Sequence, residues 1–174
     1  IRPSSDRLRE TLFNWLQTDI FGARCLDLFA GSGVLGLEAL SRGAEHIDSV
    51  DYDANVVRHL NSQFERFSIP SGQVYHMDYR DFLSHCEGGY DIVFIDPPFN
   101  QNMAQTASAL LNTRDILRSQ AIVYVETHRE EALHEHRQHV LATHHAAIEE
   151  RQTRRHEEDE CCGGQHPRGI ASID

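Results

Sequence analysis

The sequence contains no lysine. All 16 of its basic residues are arginine, and 27 Asp and Glu bring the net charge to −11. So acidic a chain is excluded from the strong nonspecific nucleic-acid binders, which carry a basic patch. Long apolar runs are missing too: none approaches the roughly 18 residues that span a bilayer, so no membrane association is expected. Cysteine is scarce. Cys25, Cys86, Cys161 and Cys162 show no framework spacing, which excludes a disulfide scaffold and favours a reducing, cytoplasmic location. No basic-then-apolar leader follows Ile1. No internal repeat is visible. The only tryptophan, Trp15, is expected in the core.

What is present reads as one ordinary globular domain, 174 residues long, 40% hydrophobic and 25% charged. Residues 4–19 carry Leu8, Leu12, Phe13, Trp15 and Leu16 at helical spacing, with Ser4 or Ser5 as cap. "RCLDLF" reads as a strand and "VLGLEALSRG" as a helix stopped at Gly43. "HIDSVDYD", "QVYHMD", "YDIVFIDPPF" and "AIVYVET" are further strands; "ANVVRHLNSQFERFSI", "RDFLSHC" and "MAQTASALLNT" are helices. About five strand–helix alternations predict an α/β fold, a mostly parallel sheet with helices on both faces. Ligands of such sheets bind beyond the carboxyl ends of the strands. Four of those ends carry acidic residues: Asp27, Asp51, Asp78 and Asp96.

The first end runs into "LDLFAGSGVLG", residues 26–36, whose Gly31, Gly33 and Gly36 match the G-x-G-x-x-G of dinucleotide sites. In such a site the loop holds a pyrophosphate at a helix N-terminus. Here Asp27 stands four residues before Gly31. A carboxylate repels a pyrophosphate and attracts an ammonium. S-adenosylmethionine carries an ammonium and no phosphate, so Asp27 favours it over NAD. Asp51, 18 residues after Gly33, suits ribose hydroxyls in either cofactor.

"IDPPF", residues 95–99, ends the fourth strand. Pro97 and Pro98 remove two N–H donors and stiffen the turn. The groups then exposed are acceptors, the Asp96 carboxylate and the Pro97 carbonyl. Two acceptors aimed at one point suit an exocyclic NH2 and orient its lone pair. Phe99 offers a flat surface for a planar base.

These motifs resemble the RsmD family, bacterial methyltransferases that modify guanine N2 in 16S ribosomal RNA. The matching stretches are "RPSSDRLRETLFNWL", "CLDLFAGSGVLGLEALSRGA", "VDYD", "DYRDFL" and "YDIVFIDPPF", within residues 2–126. The first is the most family-specific. The resemblance implies a Rossmann-like S-adenosylmethionine-dependent fold and an RNA methyltransferase activity. It implies cofactor contacts at Asp27, Phe29, Ala30, Gly31, Ser32, Gly33, Asp51, Tyr52, Asp78 and Tyr79. Catalysis would fall to Asp96, Pro97, Pro98 and Phe99. The implied partner is 16S rRNA or a small-subunit assembly particle, with the enzyme a monomer. The acidity is compatible with this, because an enzyme specific for one site on a ribonucleoprotein can rely on a local patch.

The methyl on sulfonium is the electrophile, so the protein mainly positions the amine. Asp96 and Pro97 would orient it and stabilise the charge that develops on it. A carboxylate at its ordinary value of about 4 need not take the proton, since water can accept it. The guanine must leave any stack to reach the site.

Two alternatives stand beside this reading. One is methylation of another amino group: adenine N6, cytosine N4 or a protein glutamine. Those relatives more often carry Asn, or Tyr after the prolines, where this chain has Asp96 and Phe99. The other is a truncated, catalytically idle relative. The family's usual basic stretch before the R-P-x-x-D-R segment is not found here, nor is its final aromatic and β-branched hairpin. The methyltransferase domain is expected over 1–132. Residues 133–174 read as an atypical His-rich, poorly ordered tail with a weak helix over Leu133–Glu150, leaving the strand with Ile122–Val125 at or near a sheet edge. The tail's His134, His136, His139, His144, His145, Cys161 and Cys162 match no standard metal spacing, and no metal is expected. Of Arg7 and Arg9 on the first helix, one is expected to face RNA.

Overall fold

Apolar residues recur in this chain at two spacings, and each becomes a layer. The computed structural model describes residues 5–98, 102–126 and 140–142. In order these are α1 (Ser5–Trp15) with a 3-10 turn (Leu16–Thr18), β1 (Arg24–Asp27), α2 (Val34–Ser41), β2 (His46–Asp51), α3 (Ala54–Arg66), β3 (Gly72–His76), α4 (Tyr79–His85), β4 (Tyr90–Ile95), α5 (Met103–Thr113), β5 (Leu117–Val125) and β6 (Val140–Ala142). The strands form one sheet in the order β3-β2-β1-β4-β5-β6, and every pairing is parallel.

Period-two alternation along β4 shows why both faces are covered. Ile92 and Phe94 pack with Leu12, Phe13, Leu16 and Ala39 of the α1/α2 side. Val93 and Ile95 pack with Phe82 and Leu83 of α4 and with Ala107 and Leu111 of α5. The helices follow the complementary rhythm. α3 buries Val57, Leu60 and Phe64, spaced three and four apart, and starts where the Asp53 carboxylate accepts the Asn55 N–H at 2.7 Å. α4 starts the same way on Asp78, which accepts the Arg80 N–H at 2.8 Å. Beyond α2, Gly43 takes the left-handed conformation expected of a helix stop, φ 94°.

Three features differ from the sequence reading or were not visible in it. Trp15 is half-buried rather than core, because the buried stripe of α1 runs through Leu12, Phe13 and Leu16 and Trp15 lies off it. A sixth strand, Val140–Ala142, lies beyond the boundary read at residue 132 and pairs with Val123–Val125. This corrects the weak helix read across these three residues: so short an apolar run in a polar segment shows no alternation, and pairing with β5 makes it a strand. The rest of the expected tail, with its histidines and Cys161 and Cys162, lies outside the described residues.

The third is a buried charge. Asp48 sits in mid β2 at 1% exposure. Its Oδ2 accepts the Tyr90 hydroxyl at 2.7 Å and Arg24 Nη2 at 3.2 Å; its Oδ1 pairs with His46 Nε2 at 2.9 Å. An isolated carboxylate here would be costly, and these donors offset its desolvation. Burial and the Asp48 charge push the Tyr90 phenol well above its ordinary range. Among the described residues no helix is long and apolar enough to cross a membrane.

Candidate active site

The strand order reverses between β1 and β4, so the connections after these two adjacent strands diverge and leave a crevice at their carboxyl ends. A cavity of about 530 Å³ lies there, within the range of small-ligand sites. Asp27 from the end of β1 and Asp96 from the end of β4 both line it.

The glycine loop is tied to β2. Ala30 N–H donates to the Val50 carbonyl at 2.9 Å, and Gly31 N–H donates to Asp51 Oδ2 at 3.0 Å. The other Asp51 oxygen accepts Asp53 N–H at 2.8 Å. Gly33 turns the chain into α2 with φ 77°, and α2 has no side-chain cap, so its first-turn N–H groups are left to other acceptors. A Cβ on Gly33 would collide with the Leu60 side chain.

Of the residues expected at the cofactor, Asp27, Phe29, Ala30, Gly31, Ser32, Asp51, Tyr52, Asp78 and Tyr79 line this cavity. Gly33 is not among the lining residues; it sets the turn that brings the others in. Asp96, Pro97 and Pro98 also line the cavity, whereas Phe99 lies outside the described residues. Tyr52 is 67% exposed, and the buried Tyr79 ring packs on Phe29 at 4.9 Å between centroids. The Tyr79 hydroxyl is buried without a hydrogen-bond partner among the described residues.

Sequence reasoning missed other parts of the wall. Leu8, Arg9 and Leu12 of α1 contribute to it, as do Tyr124 and Glu126 at the end of β5. Glu126 immediately follows a strand and was detectable as a fifth acidic strand end. Of the two arginines singled out on α1, Arg7 is exposed, while Arg9 reaches the cavity and pairs with Asp6 at 3.0 Å.

The electrostatics are one-sided. Among the described residues, Asp27, Asp51, Asp53, Asp78, Asp96 and Glu126 line the cavity, against Arg9 alone. Asp27 is 1% exposed and accepts the Phe29 N–H at 3.3 Å. Burial pushes its carboxyl up to about 7; the Phe29 bond opposes this, and the charges of Asp96 and Asp51 add to it. Asp96 is pushed up to about 6, by burial and then by the Glu126 charge. Such a site favours a ligand that brings positive charge.

The family model described as conserved hypothetical protein 95 matches residues 1–154. The chain is 42% identical over 137 residues to ribosomal RNA small subunit methyltransferase D of Haemophilus influenzae, covering 76% of this chain and 71% of that protein. It is 40% identical over 133 residues to the Escherichia coli protein of the same name, covering 76% and 67%. The solved structure of Escherichia coli yhhF matches with a TM-score of 0.72 at 38% identity, covering 78% of this chain and 75% of that one.

Proposed function

The chain belongs to the RsmD family, whose model is described as conserved hypothetical protein 95, and from that premise we propose that it transfers a methyl group from S-adenosylmethionine to the exocyclic N2 of a guanine in 16S ribosomal RNA. The fold is the Rossmann-like fold of S-adenosylmethionine-dependent methyltransferases. Two relatives named for small-subunit ribosomal RNA support the substrate class. The observation that carries the reading is that Asp27 and Asp96, on adjacent parallel strands, end in one cavity.

The cavity's residues fit the cofactor. Among the described residues a pyrophosphate would meet Asp27 and Asp51 with only Arg9 to oppose them, and Arg9 is already paired with Asp6. An ammonium suits Asp27. Asp51 retains lone pairs for ribose hydroxyls, Tyr52 offers an exposed ring, and the orphaned Tyr79 hydroxyl is available for a polar contact. When bound, S-adenosylmethionine supplies a sulfonium methyl as electrophile.

Asp96 and the Pro97 carbonyl accept the two N–H bonds of the amine and aim its lone pair. Asp96 stabilises the positive charge as it develops on nitrogen. With its carboxyl near 6, Asp96 is also better matched to taking the released proton than an ordinary aspartate. The substrate is 16S rRNA or a small-subunit assembly particle, the acting form a monomer, and the location cytoplasmic.

The test is transfer from labelled S-adenosylmethionine to small-subunit RNA, naked and assembled, with the product identified by mass spectrometry. N2-methylguanosine is expected. A methylated adenine, cytosine or protein, or no transfer, would overturn the reading.

A further inference from the structure

Glu126 stands in the cavity wall beside the residues assigned to the amine, and that assignment leaves it without a task. Its backbone N–H donates to the Ile95 carbonyl at 2.9 Å, which sets it level with the start of the Asp96–Pro97 turn. The Tyr124 hydroxyl donates to its Oε2 at 3.1 Å. A half-buried residue tethered at both its backbone and its side chain is a positioned acceptor. Tyr124 and Glu126 both line the cavity, as does Asp96.

We propose that Glu126 selects the base: its carboxylate accepts the N1–H of guanine while Asp96 holds the adjacent N2 amine. This rests on the guanine-N2 reading above and adds the residue that enforces it. The chemistry of the base edges decides it. Beside its exocyclic amine, guanine carries a ring N–H, a donor. Beside theirs, adenine and cytosine carry a bare ring nitrogen, an acceptor. A carboxylate facing a donor gains a charge-assisted hydrogen bond. Facing an acceptor, it meets a lone pair and is left unpaired, which a closed site penalises strongly. The Glu126 charge also adds to the burial that raises the Asp96 carboxyl.

The experiment uses the full chain and an RNA substrate whose methylated position has been mapped by mass spectrometry. That position is then rebuilt with 2-aminopurine, which keeps the amine but presents a bare ring nitrogen beside it. Wild type is expected to prefer guanine by about 10- to 100-fold in kcat/KM, the scale of an unpaired buried acceptor. Glu126→Gln, whose amide can donate or accept, should lose activity on guanine, retain it on 2-aminopurine, and so narrow the ratio. 2-Aminopurine also lacks the guanine O6; a contact to O6 made elsewhere would leave the ratio unchanged in Glu126→Gln. Affinity for S-adenosylmethionine, measured by titration, should match wild type. Equal wild-type rates on both bases, or equal loss on both in Glu126→Gln, would overturn the role of Glu126 and leave guanine-N2 transfer standing. If Glu126→Gln does not fold, Glu126→Ala carries the same comparison: a narrowed guanine to 2-aminopurine ratio supports the role, and an unchanged ratio overturns it. If wild type methylates no guanine, the proposed function fails and this inference with it.

Discussion

Asp51 Oδ2 accepts the backbone N–H of Gly31 at 3.0 Å, so the end of β2 holds the glycine loop that follows β1. One carboxylate thereby does two jobs. It fixes the loop's distance from the neighbouring strand, and Asp51 itself lines the cavity.

Affinity for S-adenosylmethionine should depend on pH through Asp27. Its carboxyl lies near 7, and a cation binds the ionised form. Affinity should therefore rise as pH rises through about 7, and binding near neutrality should release a proton. The same group acts on stability in the opposite sense. Its folded value lies above the unfolded one of about 4, so the ligand-free fold loses stability as pH climbs from about 4 through about 7. Asp27→Asn should flatten both dependences. Calorimetry in two buffers of different ionisation heat measures the proton; a pH-independent wild-type affinity would refute the assignment.

Catalysis should follow a different group. Asp96→Ala should leave cofactor affinity close to wild type and lower kcat by about 10²-fold or more, the scale of losing a preorganised charge partner. With cofactor saturating, wild-type kcat should rise with pH through about 6, where Asp96 ionises. Parallel loss of binding and turnover in the variant would move Asp96 out of the catalytic role.

Gly33→Ala should destabilise the fold although Gly33 is not among the residues that line the cavity. Its φ of 77° is left-handed, which costs an L-residue roughly 1–2 kcal/mol. The added methyl would also strike the buried Leu60 side chain, and overpacking of this kind costs about 1–3 kcal/mol. Urea unfolding measures the sum. A variant as stable as wild type would mean that the α2–α3 contact yields more readily than its packing indicates.

Tyr90→Phe separates structure from function. It removes the hydroxyl that donates to Asp48 at 2.7 Å and should cost about 1–3 kcal/mol, because a buried carboxylate loses a donor. Neither Tyr90 nor Asp48 lines the cavity, so cofactor affinity should be unchanged. Urea unfolding beside a cofactor titration distinguishes the two effects.

Much of this was legible in the sequence, for local physical reasons. The β4 run "YDIVFI" is apolar on both faces because both faces are covered, and a strand end followed by Pro97 and Pro98 cannot be mistaken for a continuing strand. Asp27, Asp51 and Asp78 could be placed because strand ends in a parallel sheet share one edge. What stayed hidden depends on tertiary contact. Nothing about Asp48 in "HIDSVD" announces that Arg24, Tyr90 and His46 converge on it, since two of the three come from other strands. Leu8 reads as part of an apolar helix stripe and Arg9 as a surface residue facing RNA or solvent, and only the packing of α1 brings them to the cavity. Glu126 stands at the end of the strand "AIVYVET" with no glycine loop or proline turn beside it to mark it as part of a site.

The reversal of strand order between β1 and β4 also divides the chain by inheritance. The cofactor's candidate contacts lie between Asp27 and Tyr79; the groups assigned to the base lie between Asp96 and Glu126. Substitutions that retune which amine is methylated can therefore accumulate in the second stretch while the first continues to bind the methyl donor.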